Sequence, residues 1–225
     1  MSWTIPDSAD LAVVGAGTAG AATAAFAAER GLRVVCLDRR PLGRAGAHWA
    51  NGVTRTALRE AGITPREPLG PAPRFHLVAG RHRVTVDDHD VVDLDMRALV
   101  AQLQERAQAA GATLLGQINV LGRDGDTLVT DAGRLRARWI VDASGLAGAD
   151  LLATPRVGPE HLCAAAQGVY EVRDRAGAEA YFASIDVPPG EICAHVGVAG
   201  GFSVRNVRLH HGGTTLGVLT GSIPV

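Results

Sequence analysis

The sequence predicts an α/β fold with a β-rich insertion, followed by the start of an antiparallel sheet in a second domain. Three observations predict it. Two apolar runs, 11–14 and 32–37, flank an alanine-rich stretch at 18–30 that has the length of a helix, and Arg33 is the one charged residue in them. Short runs bounded by Gly, Pro and Asp fill the middle of the chain, and strand-like runs follow residue 155. Near-continuous apolar runs are typical of parallel strands buried on both faces.

The first element is a strand-helix-strand unit that ends at Asp38. Its first apolar run stops at Gly15, its helix is closed by Gly31, and its second apolar run leads into the aspartate. Residues 15–20 read Gly-Ala-Gly-Thr-Ala-Gly, which fits the GxGxxG pattern of Rossmann-like nucleotide-binding domains. The unit therefore predicts a dinucleotide site near the start of the chain.

Each part of this pattern has a physical role. Gly15 makes a tight turn, Gly17 lets a pyrophosphate approach the backbone, and Gly20 lets the helix pack closely on the strand. The helix start at Thr18 and Ala19 offers free N–H groups and a positive dipole end to the phosphates. The acidic residue that closes the unit would accept hydrogen bonds from the ribose hydroxyls of an ADP group.

The middle of the chain predicts helices and a series of short strands. Residues 39–73 are rich in Gly, Pro and Arg and hold a helical piece near 53–61. A two-residue turn after Ala79 predicts a hairpin, and Asp95 is the predicted N-cap of a helix that runs to Ala110. The predicted strands in this part of the chain are 75–79, 82–86, 91–94, 113–115, 118–121, 127–130, 134–136 and 139–141.

We predict two domains from this order of elements. Residues 1–154 form a nucleotide-binding domain that carries the β-rich insertion at 70–95. Residues 155–225 form part of a second, antiparallel sheet. Its predicted strands are 163–172, 192–198, 202–209 and 214–220.

Two observations favour FAD over a nicotinamide cofactor. A nicotinamide-binding domain of this kind continues directly into its next sheet strand, whereas in this chain residues 39–138 intervene. Arg39 and Arg40 could read the 2'-phosphate of NADP, but the carboxylate of Asp38 would repel that phosphate. An NAD(P)-binding redox enzyme is the alternative, and a non-catalytic nucleotide-binding remnant is another.

Composition excludes several function classes. The net charge of -1 gives no bulk attraction to nucleic acid or to an anionic membrane. Lysine and arginine together number 22, and all of them are arginine, so no lysine is available to form a Schiff base. Cys36, Cys163 and Cys193 form no CxxC pair, and no signal peptide or transmembrane run is found. We therefore expect a cytoplasmic protein without disulfides or a thiolate metal site.

Four segments make the sequence resemble a known superfamily. They are the glycine turn at 15–20, Asp38-Arg39, the helix opening Asp95-Met96-Arg97, and the strand Trp-Ile-Val-Asp-Ala-Ser-Gly at 139–145. In this order they resemble the FAD-dependent superfamily that contains aromatic hydroxylases, geranylgeranyl reductases, lycopene cyclases and flavin halogenases. The resemblance implies bound FAD, NAD(P)H as electron donor, and hydride transfer or oxygen activation on a small, apolar substrate.

The resemblance also implies site residues. The arginine at the position of Arg97 reaches the cofactor, and the alternative is a solvent-facing arginine or one that pairs with Asp93 or Asp95. The segment 143–145 lies near the flavin pyrophosphate. Ser144 stands where the hydroxylases have Asp, which favours a reductase, while the lack of lysine and of a WxWxIP segment disfavours a halogenase. The predicted cofactor-binding residues are Gly15, Gly17, Thr18, Ala19, Gly20, Asp38, Arg39, Trp49, Arg97, Val120, Ala143, Ser144 and Gly145.

The loop after the second strand holds the candidate catalytic residue. In the superfamily this loop passes near the isoalloxazine ring, so Trp49 is placed to stack on the flavin and His48 to act as a general acid or base. The alternative is that Trp49 is a core anchor and His48 a surface residue. The acidic stretch 87–95 lacks the glycine and terminal Glu of a calcium loop, so we predict no metal site. The superfamily's third motif, Gly-Asp, is missing, which predicts a fragment of a longer enzyme.

Overall fold

A computed structural model describes residues 4–66, 69–146, 148–153, 155, 157–201, 203–210 and 212–222. The chain forms two compact units, and the segments that build them alternate along the sequence. The first unit lies within Met1–Gly52, Ile63–Leu69 and Asp93–Pro155, and the second within Val53–Gly62, Gly70–Val92 and Arg156–Val225.

Helices and strands alternate in the first part of the chain, and strands dominate the second part. In chain order they are β1 (Ser8–Val14), α1 (Thr18–Ala28), β2 (Val34–Asp38), β3 (Ala50–Thr54), α2 (Arg55–Glu60), β4 (Phe75–Ala79), β5 (His82–Val86), β6 (Val91–Asp95), α3 (Met96–Ala109), β7 (Thr113–Gly116), β8 (Val120–Asp124), β9 (Thr127–Thr130), β10 (Gly133–Asp142), β11 (Ala164–Glu171), α4 (Arg175–Ser184), β12 (Ile192–Val196), β13 (Ser203–Leu209) and β14 (Thr215–Ser222).

The first unit is built on one six-stranded sheet with the order β7-β2-β1-β10-β9-β8. The strands β7, β2, β1 and β10 are parallel, and β9 and β8 continue the sheet in antiparallel pairing. This arrangement confirms the predicted α/β class. The predicted strands 134–136 and 139–141 are one continuous strand, β10, because its first half pairs with β9 while the strand also follows β1 from Arg136 to its end.

Helices α1 and α3 pack on one face of this sheet through small side chains. Ala24, Ala25 and Ala28 of α1 and Ala107 of α3 are buried together with Val13 and Cys36 of the strands. Because alanine leaves little bulk between helix and sheet, the start of α1 lies close to the end of β1. Arg106 also ties the two helices together, since it forms an ion pair with Glu29 at 2.6 Å.

The predicted N-cap of α3 is confirmed. Asp95 accepts hydrogen bonds from the backbone N–H groups of Arg97 at 2.8 Å and Ala98 at 3.2 Å. A carboxylate at this position satisfies donors that the first helical turn leaves free and complements the helix dipole. The cap fixes the residue at which the helix begins, and with it the place of Arg97.

The second unit is a six-stranded sheet with the order β11-β14-β13-β12-β4-β5. Its pairs are antiparallel except for β12 and β4, which are parallel. Helix α4 covers the core of this unit with Phe182, which packs with Cys193, Val207 and Leu209. The sequence did not predict α4, because Phe182 is its one buried residue and gives no apolar periodicity.

The β4–β5 hairpin has the predicted boundaries but a different place in the fold. We predicted it as an insertion within a domain 1–154, whereas it extends the sheet of the second unit through β12. His76 on β4 secures this connection, since its Nε2 lies 2.6 Å from Glu191 Oε2 and its Nδ1 lies 3.1 Å from Thr85 Oγ1. A buried imidazole with two partners stabilises the unit.

Neither a membrane-spanning helix nor a metal cluster occurs among the described residues. None of their helices is long and apolar enough to cross a membrane. No group of three or more His, Cys, Asp and Glu side chains within these ranges is arranged to hold a metal ion.

Candidate functional site

A cavity of about 260 Å³ opens at the carboxyl ends of the parallel strands in the first unit. It lies beside the ends of β1 and β2 and the loop that follows β10. In open α/β sheets, ligands bind in such a crevice, where neighbouring strands connect in opposite directions. The lining residues are Val14, Gly15, Leu37, Asp38, Arg39, Arg40, Ile118, Asn119, Val120, Ser144, Gly148 and Ala149.

The glycine turn between β1 and α1 is required by sterics. Gly15 has a φ of +103°, and a Cβ added there would lie 2.4 Å from the carbonyl oxygen of Ala143. A Cβ on Gly20 would lie 1.7 Å from the carbonyl oxygen of Gly15. The first and third glycines therefore bring the loop after β10 and the start of α1 within van der Waals contact of the turn.

The second glycine has a role that the sequence did not predict. A Cβ on Gly17 would lie 3.0 Å from the Cα of Gly46, in the loop that carries His48 and Trp49. Gly46 itself has a φ of +75° and faces Val100 of α3. Gly17 thus allows close packing of two loops, in addition to the predicted approach of a phosphate.

The start of α1 has the features of an anion site. No side chain caps its first turn, and no acidic residue lies in that turn. The first N–H groups of a helix have no partner within the helix, and the dipole makes this end positive. Thr18 and Ala19 therefore offer free donors beside the glycine turn.

Asp38 is held at the edge of the cavity by two backbone N–H groups. Its Oδ2 accepts from Ala16 and its Oδ1 accepts from Arg40, each at 2.8 Å, and the residue is 8% exposed. The carboxylate therefore fixes both the glycine turn and the start of the next loop. Each oxygen keeps a second lone pair that a ribose hydroxyl could use.

Gln104 is a site residue that the sequence did not reveal. This buried side chain on α3 donates from Nε2 to the carbonyl oxygen of Ala16 at 2.8 Å and to that of Leu42 at 3.1 Å. It shares a helix face with the buried Leu103 and Ala107. A polar residue inside an apolar helix face was the available signal, because buried amides need partners.

Cys36 lies directly beneath the site and is chemically inert. Its thiol contacts the carbonyl oxygen of Gly15 at 3.6 Å. Burial, and secondarily the charge of Asp38, raises the pKa of Cys36 to about 12. Because the thiolate is the reactive form, Cys36 is excluded as a nucleophile or redox centre.

The loop after β10 is organised by Asp142. Its Oδ1 accepts from both the hydroxyl and the backbone N–H of Ser144, and its Oδ2 accepts from the N–H of Leu151 at 3.1 Å. The Ser144 hydroxyl also accepts from Ala149 N–H at 2.9 Å. Burial alone raises the pKa of Asp142, but these hydrogen bonds outweigh it and hold the pKa below its ordinary value.

We expect Ser144→Ala to destabilise the first unit by about 1–2 kcal/mol at pH 7, since it removes a hydrogen bond to a charged group. The pKa of Asp142 is lower in the folded protein than in the unfolded chain. Its contribution to the free energy of unfolding is therefore fully present above the unfolded pKa of about 3.9, and it is lost as the pH falls through the folded pKa. In urea unfolding experiments, the free energy of unfolding should therefore fall less between pH 7 and pH 3 in the variant than in wild type. Ser184→Ala is the control, and an equal effect there would contradict the assignment.

The predicted site residues fall into two groups. Around the cavity lie Gly15, Asp38, Arg39, Val120 and Ser144, with Gly17, Thr18, Ala19, Gly20, Ala143 and Gly145 in the adjoining turn, helix start and loop. His48, Trp49 and Arg97 do not line this cavity.

The second group lies where the loop after β2 meets the start of α3. The carbonyl of Trp49 accepts from the N–H of Met96 at 3.2 Å, next to Arg97. Trp49 is 55% exposed, and His48 is exposed with its Nε2 3.0 Å from the carbonyl oxygen of Arg44. Arg97 is also exposed and has no ion pair in the described part of the chain. Trp49 is therefore not a core anchor, whereas His48 is a surface residue, as that alternative expected.

A parallel sheet with a glycine turn and an acidic residue at the end of the second strand defines a dinucleotide-binding oxidoreductase fold. Residues 10–62 match the family described as FAD dependent oxidoreductase. A digeranylgeranylglycerophospholipid reductase of Methanopyrus kandleri is 31% identical over 221 residues, which covers 84% of this chain and 57% of that reductase. The N-terminal part of the chain is thus similar to the FAD-dependent oxidoreductases, and most of the chain is similar to this reductase.

Solved structures agree on the fold. A geranylgeranyl bacteriochlorophyll reductase-like protein from Thermoplasma acidophilum matches with a TM-score of 0.73 at 18% identity, over 96% of this chain and 57% of its own. PqsL of Pseudomonas aeruginosa, a probable FAD-dependent monooxygenase, matches with a TM-score of 0.68 at 16% identity, over 95% of this chain and 60% of its own. The chain thus spans little more than half the length of these relatives.

Proposed function

We propose that the chain binds FAD with the ADP part of the cofactor in the cavity beside the glycine turn. The observation that carries the proposal is the position of Asp38, which is fixed by Ala16 and Arg40 at the edge of that cavity. The volume of about 260 Å³ is near the lower end of the roughly 300–1,000 Å³ typical of ligand pockets. It suits the adenosine half of a dinucleotide.

The remaining candidate residues receive roles under this proposal. The free N–H groups of Thr18 and Ala19 would bind the pyrophosphate, with the loop at Ala143 and Gly145 beside them. Trp49, whose carbonyl accepts from the N–H of Met96, and the neighbouring Arg97 would hold the flavin end. His48, exposed on the same loop, is the candidate general acid or base.

The activity we propose is a two-electron redox reaction on a small, apolar substrate. Bound FAD supplies this chemistry, and NAD(P)H is the proposed electron donor. The curated relative from Methanopyrus kandleri is named as a reductase of a geranylgeranyl lipid, which favours hydride transfer over oxygen activation. Cys36, Cys163 and Cys193 are all free, which suits a reducing compartment such as the cytoplasm.

The test is to express residues 1–225, purify the protein without added cofactor, and record its visible absorption spectrum. A flavin spectrum, with FAD identified by chromatography after release, is the expected result. A colourless protein that also fails to take up added FAD would contradict the proposal. Titration with NAD and NADP would then separate a nicotinamide enzyme from a remnant that binds neither.

A further inference from the structure

The carbonyl and the N–H group of Ala16, in the middle of the glycine turn, are held by side chains of two different elements, α3 and β2. Its N–H donates to Asp38 Oδ2 at 2.8 Å, and its carbonyl oxygen accepts from Gln104 Nε2 at 2.8 Å. Both partners are buried. The two side chains therefore fix the peptide groups before and after Ala16.

The orientation of the second peptide group has a direct consequence for Gly17. In a trans peptide the C=O of one residue and the N–H of the next point to opposite sides of the C–N bond. No cis peptide bond occurs among the described residues. Because Gln104 holds the Ala16 carbonyl toward α3, the N–H of Gly17 is turned away from α3.

The same amide holds a second loop. Its other hydrogen bond goes to the carbonyl oxygen of Leu42 at 3.1 Å, two residues beyond Arg40 in the cavity wall. Leu42 is further confined by Gly116, where an added Cβ would lie 2.8 Å from the Leu42 nitrogen. One side chain on α3 thus connects the glycine turn with the loop that follows β2.

We propose that Gln104 is a positioning residue that aims the Gly17 N–H at the pyrophosphate of the bound dinucleotide. This inference rests on the proposed function, because it assigns Gln104 to the same cofactor site. The amide contacts the backbone of the turn, and the turn contacts the phosphate. Loss of the amide should therefore weaken recognition of the pyrophosphate more than recognition of adenosine.

The experiment compares Gln104→Met with wild type in the full chain after removal of cofactor. Methionine keeps the length of the side chain but removes both N–H donors. We expect the affinity for ADP, measured by calorimetry, to fall about tenfold, because the two hydrogen bonds that orient the turn are lost. The affinity for adenosine should change less than about twofold, a split that loss of stability alone would not produce.

Gln102→Met is the matched control on the same helix. Gln102 also donates to a backbone carbonyl, that of Thr64 at 2.7 Å, but outside the cavity wall. This variant should keep both affinities. If Gln104→Met does not fold, Gln104→Leu replaces it, because leucine also lacks a donor and favours the helix.

Four outcomes overturn the inference. Equal losses of affinity for ADP and adenosine would mean that Gln104 has only a structural role. An unchanged affinity for ADP would mean that Gln104 has no role in the site. Wild-type protein that binds neither FAD nor ADP would reject the proposed function itself. A wild type that binds FAD, combined with a variant whose ADP to adenosine ratio is unchanged, would reject the role of Gln104 alone.

Discussion

Gly20→Ala should destabilise the first unit by about 3 kcal/mol or more and abolish retention of FAD. The added Cβ would lie 1.7 Å from the carbonyl oxygen of Gly15, which is backbone and cannot rotate away. Overpacking of this kind costs about 1–3 kcal/mol and sometimes more, because α1 must move off β1. Urea unfolding and the flavin absorbance of the purified protein measure the two effects.

Gly177→Ala is the matched control for this variant. Gly177 is the third residue of α4, as Gly20 is the third residue of α1. Its added Cβ would meet the carboxylate of Asp174, a side chain that can rotate aside only by giving up its N-cap hydrogen bond from the Gly177 N–H, at a cost of about 1 kcal/mol. Since alanine favours helix by about 1 kcal/mol over glycine, the control should remain within about 1 kcal/mol of wild type. Equal losses in the two variants would contradict the steric explanation.

Asp38→Asn is expected to have the second largest effect. The carboxylate accepts from the backbone N–H groups of Ala16 and Arg40, whereas an amide turns its NH₂ group toward one of them. Hydrogen bonds to charged groups contribute about 1.5–3 kcal/mol, so we expect a stability loss of about 2–3 kcal/mol. FAD affinity should fall by about a hundredfold or more, because the glycine turn loses its anchor. Fluorescence titration with FAD measures this change.

Asp10→Asn is the control that distinguishes an effect on the cofactor site from the general effect of losing a carboxylate. Asp10 lies on β1 near its start and accepts from the backbone N–H of Arg33 at 2.9 Å, far along the strand from the cavity. FAD affinity should be unchanged in this variant. If Asp38→Asn instead improved the use of NADP without loss of stability, the site would be that of a nicotinamide enzyme.

The parts of the site that sequence predicts are those encoded locally. The glycine turn, Thr18 and Asp38 lie within one strand-helix-strand unit, where the spacing of residues determines the geometry. Asp95 was predicted as a cap for the same reason, because a helix start depends on a few neighbouring residues. These features needed no knowledge of distant contacts.

The parts that sequence did not predict depend on distant contacts. Gln104 reaches Ala16 across 88 positions of the chain, so its partner is visible only after folding. The hairpin of β4 and β5 was found from its turn, but its pairing with β12 was not. Parallel neighbours carry no short-range signal, because the chain between them can have any length above a dozen or so residues. For the same reason the sequence did not predict that the hairpin extends the sheet of the second unit.

The parallel pairing of β4 with β12 has a consequence for biosynthesis. His76 and Glu191, which join these segments, are 115 residues apart, and ribosomes add roughly 5–20 residues per second. The hairpin therefore waits on the order of 10 s for its partner strand, and a lone two-stranded hairpin is marginally stable in water. During that interval β4 presents an unpaired edge, which is a template for aggregation. The sheet of the second unit therefore stays incomplete, with this edge open, until β12 has been synthesised.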